Sequence, residues 1–329
     1  TKAPAAAGHL PATPLPAIDQ ALAELDGSKQ RWAELDIDRR LEYLDALSEG
    51  TLRVARGQAE AAATAEGVPY ASTAGGEEWL GGPYITLRLL RLLSRTLESL
   101  RDRDRVPIED DDVRVRRSGR VAVRVFPVDL LERLLYGGFK AEVWMRPEVT
   151  PETLHDHTAA FYREPAPRGR VALVLGAGNV SSIGPLDAVQ KLFSEGQVVV
   201  LKLNPVNDYL GPFIEDAFSH LIRDGYFRVV YGGADVGAYL VDHPVVEEIH
   251  ITGSARTHDA IVFGPGEAGA ARKARNQPRI QKRITSELGN VSPVIVVPGE
   301  WSRSDLRFHA ENLATQMYQN VGFNCNACK

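Results

Sequence analysis

Only two cysteines occur in the 329-residue chain, Cys325 and Cys328, and both fall within its last five residues. Sulfur at that spacing can hold a metal, form a redox pair, or supply a single nucleophilic thiolate. A structural zinc site needs four ligands with paired spacing. No second C-x-x-C and no H-x3-H run accompanies these thiols, and His155 and His157 lie far away in sequence. No metal is therefore expected. The other two chemistries differ in their demands: a redox pair uses both sulfurs, whereas a nucleophile needs one thiolate with a lowered pKa or a neighbouring base.

A second group of polar residues stands at strand ends. Gly176 and Gly178 close the apolar run RVALVLGAG, which starts like the glycine-rich dinucleotide fingerprint, but Ser181 stands where the third glycine belongs. That fingerprint also places an acid on the ribose at the end of the second strand, and here VVVLKLN carries Lys202. A basic residue suits a phosphate, or a ribose hydroxyl approached from another direction. A dinucleotide would be held in some other manner than the standard one.

The elements that must position these residues follow from periodicity. From Arg170 onward, short apolar runs alternate with helical patterns of ten or so residues, which predicts βαβ units. The expected fold class is α/β: a doubly wound parallel sheet over 170–286, followed by the start of a second α/β catalytic domain at 287–329. ITSELG and SPVIVVPG read as further strands. The next helix has Ser304 as its expected N-cap and Leu306, Ala310, Leu313 and Met317 as its apolar stripe. Residues 1–17 are rich in Ala and Pro and read as a disordered lead-in. Helical patterns fill 18–104. Trp32, Leu35, Leu41, Leu44 and Leu47 lie near one face, Gly50 is an expected stop, and Pro83 opens a second long helix. The segment 105–169 reads as an insertion. Its alternation in VRVRRSGRVAVRVFP predicts a β-hairpin, either a projecting oligomerisation arm or a solvated sheet edge.

Composition narrows the function classes. With 44% hydrophobic residues, 25% charged residues and a net charge of −5, the chain reads as a globular protein with no attraction to nucleic acid. Two cysteines cannot build a secreted disulfide framework, so a reducing cytoplasm is expected. No apolar run is long enough to span a bilayer, so no membrane partner is expected.

Taken in order, LGAGNVSSIGP, VVVLKLNP, HITGS, SELGNVSP and QNVGFNC resemble the aldehyde dehydrogenase superfamily, and Trp32 to Arg39 resembles its helical lead-in as W-x-x-L-x-x-x-R. The likeness covers most of the chain. It implies oxidation of a small-molecule aldehyde to a carboxylic acid, NAD or NADP as hydride acceptor, and a homo-oligomer, dimer or tetramer. Within it, Cys325 corresponds to the nucleophile. A bare aldehyde carbonyl cannot release hydride, so a thiolate adds first and hydride loss leaves a thioester. Asn179 resembles the oxyanion-hole amide, and Glu287 the base that activates the hydrolytic water. Lys202 resembles the ribose-binding lysine. Gly253 and Ser254 resemble the turn that holds the diphosphate at a helix N-terminus. Gly289 and Pro205 complete the expected cofactor contacts. Pro205 replaces a Glu of NAD-preferring members, which removes a block against a 2′-phosphate.

Departures at Phe323, Asn290, Val291 and His258 mark a divergent branch. The resemblance also implies a longer protein, with the rest of the catalytic domain beyond Lys329. Cys328 matches no family position and reads as a small loop or core residue. The cationic group Arg272, Lys273, Arg275, Arg279, Lys282 and Arg283 is either a solvated loop or a contact for an anionic cofactor or substrate tail. Two other functions stay open: an acylating relative that releases an acyl-CoA, whose members often lack the Glu287 equivalent, and a catalytically silent binding or scaffold protein.

Overall fold

The computed structural model describes residues 10–325, 327 and 328. It divides into two compact units, one of Leu92–Ala166 and one of the remaining residues. In the larger unit α1 (Leu15–Ala33) and α2 (Ile37–Glu66) come first. Part of the predicted lead-in is ordered: the Thr13 N–H donates to the Tyr231 carbonyl at 3.1 Å and α1 already begins at Leu15. Two side-chain anchors add to this against the Ala/Pro composition: the Tyr231 N–H donates to Thr13 Oγ1 at 2.9 Å, and the Leu10 N–H to the Asp208 carboxylate at 3.1 Å. Residues 1–9 lie outside the described residues.

Trp32 is the reason α1 docks. Its ring is fully buried against Tyr43, Phe193 and Tyr226, and its Nε1 donates to the Leu192 carbonyl at 3.1 Å. Arg40, not Arg39, is the arginine that secures this lead-in. It stacks over Trp32 at 4.7 Å and donates to the Trp32, Ala33 and Leu35 carbonyls, closing the C-terminus of α1. Gly50 is not a helix stop. It lies inside α2, where a Cβ would come within 2.5 Å of the Ala217 carbonyl, so glycine permits the close helix crossing.

Next come α3 (Thr73–Trp79), a π-helical turn (Leu80–Tyr84) that contains Pro83, and α4 (Ile85–Arg103). The smaller unit holds β1 (Val113–Val115), β2 (Val121–Phe126), α5 (Leu130–Leu135) and β3 (Ala141–Trp144). Its strands form an antiparallel sheet in the order β1-β2-β3, with Val113 opposite Val123 and Ala122 opposite Trp144. Val121, Val123, Val149 and Leu154 form its core.

The larger unit continues with β4 (Val171–Leu175), α6 (Ile183–Val189), β5 (Val198–Lys202), α7 (Gly211–Ala217), α8 (Ser219–Arg223), β6 (Phe227–Val230), α9 (Ala234–Asp242), β7 (Glu248–Gly253), α10 (Ala255–Phe263), α11 (Gly266–Ala274) and β8 (Arg283–Leu288). The five strands are parallel in the order β6-β5-β4-β7-β8. Val171, Val198, Val199, Val200 and Leu201 are fully buried, as befits strands covered on both faces. The chain runs outward from β4 to β6 and then returns to β7 on the other side of β4. The crevice at the carboxyl ends of β4 and β7 is thus the topological switch point, where α/β sheets bind ligands.

The second of the two strands predicted after α11 does not form. Ser292 makes one isolated bridge to Cys328, and Ile295, Val296 and Val297 are exposed. An apolar run becomes a strand only where a neighbouring ladder takes its N–H and C=O groups, and none does so among the described residues. The helix α12 (Arg303–Tyr318) is capped by Ser302 rather than Ser304. Asp305 completes the capping box, and this reciprocal pair fixes the start two residues earlier.

Candidate functional site

Sequence-distant residues converge at the switch point. A cavity of about 310 Å³ is lined by, among others, Asn179, Ser254, Glu287, Gly289, Phe323 and Cys325. Each is delivered by a strand or helix end. Asn179 follows β4. Glu287 is the penultimate residue of β8, in register with Thr252 of β7, and Gly253 pairs with Leu288. The Gly289 N–H donates to the Gly253 carbonyl at 3.2 Å, which holds the β7 and β8 ends together. Ser254 caps α10 by accepting the Thr257 N–H at 3.1 Å. Cys325 is exposed, whereas Cys328 is buried and its Sγ lies 3.5 Å from the Leu313 carbonyl. The two thiols therefore have different surroundings. Among the described residues no group of three or more His, Cys, Asp or Glu side chains could hold a metal.

A second cavity, about 740 Å³, shares Asn204, Thr252, Gly253 and Ser254 with the first and extends between α9 and α10. Lys202 opens into it at the end of β5. This lysine is buried, and burial holds its ammonium below the usual lysine range, against the pull of Asp235 and Asp208. Its backbone carbonyl accepts the Gly176 N–H at 3.0 Å, which leaves the side chain to face the cavity. The opposite wall is Gly233, Ala234, Gly237 and Ala238, and a Cβ added at Gly237 would meet nothing within 4 Å. A small-residue slot, a lysine at the end of β5 and the N-terminus of α10 fit the flat base, ribose and diphosphate of a dinucleotide.

Pro205 lines neither cavity; it opens the short 3-10 segment after β5. Of the cationic group, Arg272 and Arg279 line the larger cavity, but both are already engaged. Arg272 donates to the Phe263 carbonyl, and Arg279 donates to the Ile261 carbonyl and the Asp242 carboxylate. Lys273 pairs with Asp259, and Lys282 donates to the Val241 and His243 carbonyls.

Three site residues escaped the sequence. Asn204 lies between the cavities, its Oδ1 accepting the Val206 N–H at 3.0 Å. Thr252 donates to Asp187 at 2.8 Å from beside Glu287. Asn320 is almost fully buried; its Nδ2 donates to the Asn179 carbonyl at 3.1 Å and the Phe323 carbonyl at 2.7 Å. Only Asn320 left a signal, as the first residue of the N-x-G-x-x-C run.

Close to this loop, Glu78 is buried on α3. Its carboxyl is pushed up to about 7, first by burial and then by repulsion from Glu66 at the end of α2 and from Glu77. Tyr209, half-buried, is pushed upward as well, first by burial and then by Glu78 and Glu66. The sign follows. A carboxyl raised from 4.5 to about 7 binds its proton in the folded state where the unfolded chain has lost it, so stability falls as pH rises through that window. Glu78→Gln removes the ionisation. Between pH 5 and pH 8 the variant should lose about 2 kcal/mol less stability than the parent, read from urea midpoints. Equal losses would contradict the assignment.

Comparison with known proteins agrees with this architecture. The model of the "Aldehyde dehydrogenase family" matches residues 135–329, more than half of the chain. Among curated proteins, the chain is 30% identical over 102 residues to 4-trimethylaminobutyraldehyde dehydrogenase A of Danio rerio, covering 31% of this chain and 18% of that one. It is 40% identical over 75 residues to betaine aldehyde dehydrogenase of Brucella anthropi, covering 23% and 13%. The structure of a mutant aldehyde dehydrogenase C from Pseudomonas syringae, in complex with NAD+ and octanal, superposes with a TM-score of 0.58 at 19% identity, covering 94% of this chain and 49% of that one. The chain thus spans about half the length of that solved structure, and the aligned parts are under a fifth of these two curated relatives. With the α/β fold, the switch-point cavities and the family match in hand, the chain belongs to the aldehyde dehydrogenase family.

Proposed function

We propose that the protein oxidises an aldehyde to a carboxylic acid with NAD or NADP as hydride acceptor. The observation that carries this reading is the meeting of Cys325, Asn179 and Glu287 in one cavity that shares Asn204, Thr252, Gly253 and Ser254 with the larger slot. The Cys325 thiolate adds to the aldehyde carbon, and a C–S bond forms as the carbonyl oxygen becomes an oxyanion. The Asn179 side-chain amide donates to that oxyanion; removing such a donor costs about 2.7–4 kcal/mol of barrier. A dinucleotide held by Lys202 and the first turn of α10 would supply the hydride acceptor that converts the Cys325 adduct into an acyl thioester. Glu287 then takes a proton from water as it attacks the thioester, the C–S bond breaks, and carboxylic acid departs from the regenerated thiolate. Lys202 would hold the adenosine ribose hydroxyls from the end of β5. Ser254 and the first turn of α10 would meet the diphosphate, with Gly253 and Gly289 keeping that turn close to the strand ends. Pro205, which lines neither cavity, carries no acid that would repel a 2′-phosphate.

Turnover of the intact protein without coenzyme A tests the hydrolytic half. Free carboxylate should form without it, and Glu287→Gln should slow turnover by about 10²- to 10⁴-fold. An absolute requirement for coenzyme A would favour an acylating enzyme. No turnover across a broad aldehyde panel, with folding intact, would favour a binding role.

A further inference from the structure

The loop that presents Cys325 is conformationally expensive. Asn320, Val321 and Gly322 are consecutive left-handed residues, with φ of 54°, 54° and 78°. Gly322 tolerates this freely. Val321 does not, because a β-branched side chain collides with its own backbone in that region. Such a turn persists only where its surroundings over-determine it.

The surroundings converge on Asn320. Its side-chain Nδ2 bridges the Asn179 and Phe323 carbonyls, and the Phe323 N–H returns to the Asn320 carbonyl at 2.8 Å. Its backbone N–H donates to the Glu77 carboxylate at 2.8 Å, across 243 positions of sequence. Glu77 does not line the cavity that holds Cys325. It stands on α3, whose start is fixed by the Ser72 cap and by Gly75, where a Cβ would come within 2.3 Å of the Tyr70 carbonyl. The π-helical turn that follows lies against the Asn179 loop: a Cβ at Gly82 would come within 2.9 Å of Ser181 Oγ. One short helix thus abuts the loop of Asn179 and grips the loop of Cys325.

We infer that Glu77 is a positioning residue: its carboxylate holds the Asn320 N–H, fixes the left-handed turn, and so sets Cys325 against Asn179. This inference rests on the assignment of Cys325 and Asn179 to the reaction. It asks more of Glu77 than structural support, because the turn carries the nucleophile and is bridged to the oxyanion side by Asn320. A charge-assisted bond to a backbone N–H is among the stronger ones available for the purpose.

The test compares Glu77→Leu with Glu77→Gln in the intact protein. Gln keeps a carbonyl acceptor; Leu has none. Hydrogen exchange at the Asn320 amide should accelerate at least tenfold in the Leu variant and stay near the parent rate in the Gln variant. The kcat should fall about 10- to 100-fold in the Leu variant, the size of effect expected for a misplacement of order 1 Å. KM for the dinucleotide should change less than about twofold, and Gln should restore most of the kcat. Unchanged exchange and kcat in Glu77→Leu would overturn the inference. Equal failure of both variants would also overturn it, pointing to charge balance with Glu66 and Glu78 instead. Should the Leu variant fail to fold, exchange in the parent decides: the Asn320 amide should be protected, and an amide exchanging as freely as an open loop would refute the tether. Exchange is read without turnover, so it stands apart from the assignment of Cys325, which fails separately if Cys325→Ala remains active.

Discussion

Replacing Cys325 with alanine should abolish aldehyde-dependent NAD(P)H formation by the intact protein, with a fall of about 10⁴-fold or more. The thiolate is the strongest nucleophile and best leaving group in the cavity; of the hydroxyls beside it, Thr252 donates to Asp187 and Ser254 caps α10. Asn179 can only donate to the oxyanion, and Glu287 can only move a proton. Without the thiol no adduct forms, and a bare aldehyde has no hydride to give. The loss should be catalytic rather than structural. Cys325 is exposed, so its truncation removes little packing, and thermal unfolding should be unchanged. Cys328→Ala is the internal control. That residue is buried, so stability should fall modestly while activity remains. Activity retained in Cys325→Ala, or lost only in Cys328→Ala, would show that the wrong sulfur has been assigned.

Lys191→Met should destabilise the larger unit by about 3 kcal/mol, the low end of the 3–5 kcal/mol that breaking a buried pair typically costs. Glu248 begins β7 with its carboxylate buried, and it accepts from Lys191, from Arg283 at 2.6 Å and from Gln197 at 2.9 Å. Lys191 is equally buried and also pairs with Glu195 at 2.8 Å. Burial alone would raise the Glu248 carboxyl, but the Lys191, Arg283 and Gln197 bonds more than offset it and hold it at about 2. The depressed carboxyl contributes stability above the unfolded value near 4.5, which is lost as pH falls through about 2. Removing Lys191 strands a partly compensated charge between β7 and β8, and the retained Arg283 bond keeps the loss from being larger. The deficit should shrink as pH falls from about 4.5 toward 2, because the unfolded chains and the variant's fold take up a proton that the parent's fold still resists. Urea denaturation across that range checks both size and sign; a deficit independent of pH would mean that lost packing of the lysine stem dominates.

The parallel sheet was legible because its strands are unbroken apolar runs separated by helix-length segments, a pattern that few other folds produce. The convergence of the candidate residues follows from their places after strands or at helix ends: Asn179, Ser254, Glu287 and Cys325 line one cavity, and Lys202 lines the next. Gly50 was misread because glycine has two uses. Its role inside α2 depends on the Ala217 carbonyl, which no local pattern announces. SPVIVVPG was misread because apolar alternation specifies a willingness to pair, not the presence of a partner. Ser304 lost to Ser302 because the reciprocal Asp305 contact decides between two nearby caps. Glu77 meets the Asn320 N–H across 243 positions of sequence, and such a bond to a backbone group leaves no spacing to read.

The central claim is that an acyl group passes through Cys325 and is released by Glu287. The most direct measurement is mass spectrometry of the peptide spanning the two cysteines, after Glu287→Gln protein is mixed with aldehyde and NAD(P)+ and quenched in acid. With hydrolysis impaired, the thioester should accumulate, and Cys325 should carry the mass of the acyl group while Cys328 stays unmodified. An unmodified Cys325 under conditions where NAD(P)H forms, or an acyl group on Cys328 instead, would contradict the account.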